Sequence, residues 1–256
     1  MNPQDYQAFT AALQRNLERD PRVIGLMAAG SMAQGSHQPD QWSDHDFWVV
    51  VESPEWFHNH LDWLPDRDQI VLHFREQHGG FKTLYRSGHL LEYAVSGRAN
   101  LLTAKVNDYR LLIDRANLAA DLARMQGATT SEFFDWIRDD HCLFGQFITT
   151  LLVGVGRFHR GEWLSARQLI TVLSLGPLFR LIPKYISTDH PQVIDNLDPL
   201  RRFELAYPDL SAEINCLLRL DLDQAAAGLL DLAEHLLRHR LPDYPVEAVA
   251  LIRGTV

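Results

Sequence analysis

Asp44 and Asp46 stand one residue apart and lead straight into Phe47-Trp48-Val49-Val50-Val51. That apolar run reads as a strand, and side chains two apart on a strand point to the same face. The two carboxylates therefore sit side by side at the strand's start. Like charges a few ångströms apart repel, and a cation relieves the repulsion. Magnesium suits such a pair, because it takes oxygen ligands from one or two carboxylates together with substrate phosphates. Upstream, Val23-Ile24-Gly25-Leu26-Met27-Ala28-Ala29 reads as an earlier strand, which Gly30-Ser31 breaks. Gly30 permits backbone angles and close approach that a side chain blocks. Ser31-Met32-Ala33-Gln34 supplies one helical turn, and a helix N-terminus offers free N–H groups to an anion. The stretch 30–51 thus joins a phosphate cradle to a metal-binding carboxylate pair.

The same Asp-x-Asp spacing occurs twice more without that context. Asp66-Arg67-Asp68 follows Pro65 and reads as a turn. Asp221-Leu222-Asp223 precedes Gln224-Ala225-Ala226-Ala227 and reads as the N-cap and first turn of a helix. Neither has a strand-ending Gly-Ser before it.

Gly-Ser, a spacer of about a dozen residues, then Asp-x-Asp opening an apolar strand resembles the signature of the DNA polymerase β-like nucleotidyltransferase superfamily. Within it, the chain is similar to the antibiotic-modifying branch, the aminoglycoside and lincosamide nucleotidyltransferases. The resemblance is strongest over residues 22–51, weaker to about 115, and architectural beyond. It implies a third carboxylate on a later strand. Glu92 lies mid-strand in His89-Leu90-Leu91-Glu92-Tyr93-Ala94-Val95, where a charged residue needs a partner. Glu76 lies at a strand end beside the hairpin turn Gln77-His78-Gly79-Gly80, where a solvated acid costs little. Glu92 is therefore the choice; the alternative is a glutamate on the open face of the sheet or paired with an arginine such as Arg86.

The resemblance further implies an activity. A hydroxyl of a small acceptor attacks the α-phosphate of a nucleoside triphosphate, and pyrophosphate leaves. Asp44, Asp46 and Glu92 hold two Mg2+ ions, Glu92 takes the hydroxyl proton, and Gly30 and Ser31 hold the triphosphate. An adenylyl donor and an aminoglycoside or lincosamide acceptor, hence antibiotic resistance, are the expected particulars. A protein-modifying or antitoxin-like nucleotidyltransferase and a silent nucleotide-binding module are the alternatives. The size of the helical half argues against the former, and the presence of all three carboxylates against the latter.

The elements that must position these residues fall into two halves. The first, 1–126, reads as an α+β domain with a mixed sheet: a helix at Tyr6–Leu17, strands at about 22–29 and 44–51, a helix over Glu55–Leu64, three strands within 69–95, and a strand at Tyr109–Ile113. Asp114 is suited to cap a helix over Ala116–Met125. The stretch Gln126-Gly127-Ala128-Thr129-Thr130-Ser131 reads as a linker. The second half, 127–256, shows no strand pattern. Long helical patterns at 132–160, 163–182 and 222–239 predict an all-α bundle, and in the activity the resemblance implies the acceptor pocket comes from this half. In it, Arg157 and Arg160 share a helix face near the helix end at Gly161. They either complement the helix dipole or neutralise nucleotide phosphates. Glu162 beside them is a candidate for a cationic acceptor.

Composition narrows the classes. A net charge of −9 over 256 residues speaks against a nucleic-acid scaffold, which needs a basic surface. Cys142 and Cys216 stand alone without zinc spacing, and the polar start has no signal-peptide pattern, so a reduced cytoplasmic setting is expected. The longest apolar stretch, Phe144–Phe158, is interrupted by Gln146, Thr149 and Thr150 and is too short to span a bilayer.

Overall fold

A computed structural model of the protein describes residues 1–35, 38–77, 79–101, 103–136 and 139–255, with the backbone alone for 131–136. The chain divides into two units, Met1–Glu132 and Phe133–Val256.

Six strands build the first unit: β1 (Val23–Ala29), β2 (His45–Val51), β3 (Ile70–Arg75), β4 (Phe81–Tyr85), β5 (Leu90–Ser96) and β6 (Tyr109–Asp114), in the sheet order β3-β4-β5-β2-β1-β6. β2 and β5 run parallel, and every other neighbouring pair is antiparallel, so the sheet is mixed. Helix α1 (Pro3–Glu18) precedes it; Asn2 caps the helix through its side chain, and Pro3 opens the first turn.

The period of two along β2 sorts its side chains onto two cores. Phe47, Val49 and Val51 join Leu91, Tyr93 and Val95 of β5 and Tyr6, Phe9, Leu13 and Leu17 of α1. Val50 turns the other way, onto Met27, Leu101, Leu118, Leu122 and Met125. The aspartates follow the same alternation, on the second face. His45, between them, points to the α1 side and is fully buried.

Helix α2 (Glu55–Asn59) is shorter than the Glu55–Leu64 expected. His60 is extended, the Trp63 indole donates to the His60 carbonyl, and Leu64 precedes Pro65, where helical angles are disfavoured. Helix α3 (Arg98–Leu101) is a single turn. Helix α4 (Ala119–Trp136) contains the stretch 126–131 that reads as a linker in the sequence. Its hydroxyls are satisfied within the helix: Thr129 and Thr130 donate to the Met125 and Gln126 carbonyls. The expected cap is present, with Asp114 Oδ1 accepting from the N–H groups of Ala116 and Leu118 ahead of that helix.

The second unit is helical, and no strand occurs among its described residues. The pattern expected as one helix over 132–160 is interrupted. α5 (Asp140–His159) has its own N-cap, Asp139, whose side chain accepts from the Cys142 N–H; Ile137 and Arg138 lie outside the described residues. α6 (Trp163–Gln168) passes through a π-helical turn, Leu169–Leu173, into α7 (Leu175–Tyr185). α8 (Phe203–Ala206), α9 (Pro208–Leu217), α10 (Leu222–Leu237) and α11 (Val246–Arg253) complete it. Phe144, Phe147 and Leu151 of α5, Leu178 and Ile182 of α7, and Leu229 and Ala233 of α10 share its core. Among the described residues no helix is long and apolar enough to cross a membrane.

The α1-side core holds two imidazoles. His45 stacks on Tyr6 with ring centroids 3.7 Å apart, meets His89 edge-on at 4.7 Å, and shares a 2.8 Å hydrogen bond with Thr10 Oγ1. Burial, reinforced by His89, pushes His45 down to about 3; burial, reinforced by the chain's N-terminal ammonium, pushes His89 down to about 4. Both rings are therefore neutral when folded, while in the unfolded chain they protonate near pH 6.5. The stability they permit is complete above about pH 6.5 and is lost as pH falls from there toward the folded values, with a slope of up to about 1.4 kcal/mol per pH unit for each ring. Urea unfolding between pH 7.5 and pH 4.5 should show this loss, and His89→Leu should flatten it. A wild-type curve as flat as the variant's would rule the imidazoles out as its cause.

Candidate active site

Asp44, Asp46 and Glu92 come together: one carboxylate oxygen from each lies within 4.8 Å of the others, and all three residues are half-buried. Two strands do this. Asp46 on β2 is in register with Glu92 on parallel β5, so the two side chains rise from adjacent positions on one face. Asp44 is two residues before Asp46 and follows a tight turn. In that turn the Asp40 side chain accepts from the Trp42 N–H and the Ser43 hydroxyl. An all-oxygen donor set selects a hard divalent cation. Two oxygens on one magnesium lie at most about 4.2 Å apart, twice its ligand distance. The three oxygens lie within 4.8 Å of one another, near that limit, so the donor set is of the number and kind such an ion takes.

Gly30 ends β1 beside this cluster. Its φ is +52°, and a Cβ built there would lie 2.5 Å from Asp46 Oδ2. The left-handed angle favours glycine, and a Cβ there would push aside the carboxylate oxygen lying over it. Residues Gly30–Ala33 form one 3₁₀ turn, and Gln34 closes it in the left-handed region. The Ser31 hydroxyl is turned inward, 3.3 Å from the Tyr6 hydroxyl and 3.5 Å from the Asp44 carbonyl it donates to. Tyr6 itself donates to that carbonyl at 2.8 Å. Burial, and then the charges of Asp46 and Asp44, push the Tyr6 phenol up to about 12, so it stays a donor.

Three residues around the site carried no local signal in the sequence. Tyr6 is an aromatic on an amphipathic helix, indistinguishable there from core. Arg110 on β6 donates to Gln34 Oε1 at 2.8 Å across 76 positions of sequence. Lys82 on β4 pairs with Glu92 at 2.6 Å. Glu92 therefore does have a basic partner, but it is Lys82 rather than Arg86. That lysine is the second residue of β4, and nothing local in the sequence ties it to Glu92.

Arg157, Arg160 and Glu162 lie in the second unit and meet one another. Arg160 Nε donates to Glu162 Oε1 at 2.9 Å, Arg157 Nε is 3.9 Å from Glu162 Oε2, and Arg157 also donates to the Ser165 hydroxyl. Gly161, at φ +77°, turns the chain between α5 and α6. The decoy pairs are structural: Asp66 sits in a left-handed turn, and Asp221 holds the N-cap position of α10 without a side-chain bond.

No protein-family model matches the sequence, and no curated protein matches it. Among solved structures, the chain is similar to a crystal structure of an aminoglycoside 6-adenyltransferase from Bacillus subtilis, at 12% identity and a TM-score of 0.35 over 96% of each chain. It is also similar to the E. coli MS115-1 CdnC:HORMA-deltaN complex, at 14% identity and a TM-score of 0.28, over 100% of this chain and 90% of that one. At that distance, the functional reading rests on the chemistry of the carboxylates themselves.

Gly30→Ala tests the coupling between turn and carboxylate. It should cost about 1–2 kcal/mol through the left-handed angle. It should also weaken Mn2+ binding, because Asp46 must swing away from the new methyl group. Calorimetric melting and a Mn2+ titration measure the two effects, and a variant that melts lower but binds Mn2+ normally would uncouple the glycine from Asp46.

Proposed function

We infer that the protein is a magnesium-dependent nucleotidyltransferase. It moves a nucleoside monophosphate, with adenylate the first donor to test, from the triphosphate to a hydroxyl of a small acceptor. An aminoglycoside- or lincosamide-like antibiotic is the acceptor class to try first. The observation that supports this reading is the convergence of Asp44, Asp46 and Glu92 within 4.8 Å at a glycine-containing turn.

In this reading Asp44 and Asp46 hold the metal, and Glu92 is the third ligand. Bound there, two divalent ions supply charge neutralisation for the attacking and leaving oxygens of an in-line displacement at the α-phosphate. Glu92, the carboxylate on the neighbouring strand, takes the proton of the attacking hydroxyl. The Gly30–Ala33 turn approaches the triphosphate through its backbone, since the Ser31 hydroxyl is engaged with Tyr6 and the Asp44 carbonyl. Tyr6 keeps Asp44 in place by donating to its carbonyl.

The test is pyrophosphate release by the full-length protein with Mg2+, each nucleoside triphosphate in turn, and a panel of aminoglycosides and lincosamides. Acceptor-dependent release is expected. Asp44→Asn, Asp46→Asn and Glu92→Gln should each fall by about a hundredfold or more, the scale of losing one electrostatic stabiliser. Each of the aspartate variants should melt no lower than wild type, because a charge is removed from a repelling group. Asp221→Asn should leave transfer unchanged. Near-normal transfer in either aspartate variant would sink the assignment.

A further inference from the structure

The acidic cluster continues sideways into a row of alternating charge. Lys82 on β4 is directly across from Glu92 on β5, and Glu92 is directly across from Asp46 on β2. The Lys82 ammonium lies 2.6 Å from Glu92 Oε1 and 3.5 Å from Glu76 Oε1. Glu76 follows β3, and its N–H donates to the Gly80 carbonyl at 2.8 Å, which closes the β3–β4 hairpin next to Lys82. Across the sheet the order is thus Glu76, Lys82, Glu92, then the aspartates: negative, positive, negative, negative.

Glu92 is consequently sought from both sides. An ammonium and a divalent cation compete for its charge, because each is drawn to the one carboxylate and the two cations repel one another. Resting on the metal site of the preceding section, we propose that Lys82 is a positioning residue that holds Glu92 while the metal is away and passes to Glu76 when a divalent cation takes Glu92. Glu76 then sets how readily the site loads.

The side chains suit this exchange. Lysine carries a point charge with three donors on a flexible four-carbon stem, so it can change partner without a fixed bidentate geometry. The exposures of Lys82, Glu76 and Glu92 are 29%, 40% and 35%, so none of the three need be stripped of water to shift. The two partners are near enough that the ammonium moves between them by torsions of its own stem. While it rests on Glu92, it also offsets part of the repulsion among the three carboxylates, which lets the site persist without a metal.

The experiment is a Mn2+ titration of the full-length protein followed by electron paramagnetic resonance, without nucleotide and at one pH near 7.5. It compares wild type, Lys82→Met, Lys82→Arg, Glu76→Gln, the double variant Lys82→Met/Glu76→Gln, and Asp44→Asn. Lys82→Met should bind Mn2+ roughly tenfold more tightly, since a unit charge beside a ligand is gone. Glu76→Gln should bind several-fold more weakly, because the ammonium is left on Glu92. In the double variant, most of the Glu76→Gln effect should vanish, since that glutamate acts through the lysine. Lys82→Arg should stay within a few-fold of wild type. Circular dichroism checks folding, and Lys82→Gln replaces Lys82→Met if the latter does not fold. If Glu76→Gln weakens binding by the same factor with and without Lys82, or if removing the lysine leaves affinity unchanged, the exchange is wrong. Asp44→Asn separates the two readings: binding as in wild type would overturn the metal site itself, whereas lost binding there with no lysine effect would overturn only the exchange.

Discussion

Three carboxylates gathered within 4.8 Å repel one another, and the first unit is built to hold them against that repulsion. The parallel pairing of β2 with β5 at the middle of the sheet is the key constraint. It places Asp46 and Glu92 at matching register, and neither strand is at an edge where the pair could drift apart. On the other side, β1 pairs antiparallel with β2 so that Ala29 faces Asp46 and Gly30 comes next. The missing side chain there is what lets the carboxylate lie over the turn. The charges of Asp46 and Glu92 are thus positioned by backbone hydrogen bonding between interior strands, with Asp44 just ahead of β2, which is how a site keeps its geometry before a ligand arrives.

The opposite face supplies the anchorage. Since strand alternation sends Asp44 and Asp46 one way, it sends His45 the other, into the aromatic packing of Tyr6, Phe9 and His89. The fully buried His45 fixes the start of β2 to α1, and Tyr6 ties the same point through the Asp44 carbonyl. A shift of β2 by one residue would bury both aspartates under α1 and turn His45, Phe47, Val49 and Val51 out of the core they fill, onto the second face. The register of the site and the register of the core are therefore one quantity, and the cost of the first slipping is the cost of losing the second.

How much of this was legible in the sequence depends on the range of each interaction. Asp44, Asp46 and Gly30 could be read because a period of two and a strand-breaking glycine are local. The six strands were legible for the same reason, since each apolar run is bounded by turn residues. Glu92 required an argument about burial, and the structure puts it in the carboxylate cluster while also pairing it with Lys82. Lys82, Tyr6 and Arg110 were not legible, since what matters is which strand or helix lies opposite. The stretch 126–131 misled for a different reason: Gly, Thr and Ser suit a linker by composition, yet Thr129 and Thr130 bond back to their own helix and Gly127 costs a helix only about 1 kcal/mol. The break between α4 and α5 was hidden in turn, because Asp139 is a cap whose meaning appears only once the helix it starts is known.

The three Asp-x-Asp pairs make the final point. At 221–223 the spacing falls at the start of a helix, where residues two apart diverge around the axis: Asp221 takes the N-cap position, and Asp223 accepts from the Gln224 N–H. At 66–68 it falls in a turn, and Asp66 uses its tolerance for the left-handed region. Only at 44–46 does the pair run onto the strand itself, with Asp46 on β2, which turns both carboxylates to one side, and only there does a neighbouring strand bring a third. The turn at 157–162 obeys the same logic from the other direction. Arg157, Arg160 and Glu162 are types suited to nucleotide and acceptor, and the turn also sets them within ion-pair reach of one another on an exposed surface. Residue type proposes a chemistry; the element beneath it decides which groups are brought together, on one strand face at 44–46 and across one helix-ending turn at 157–162.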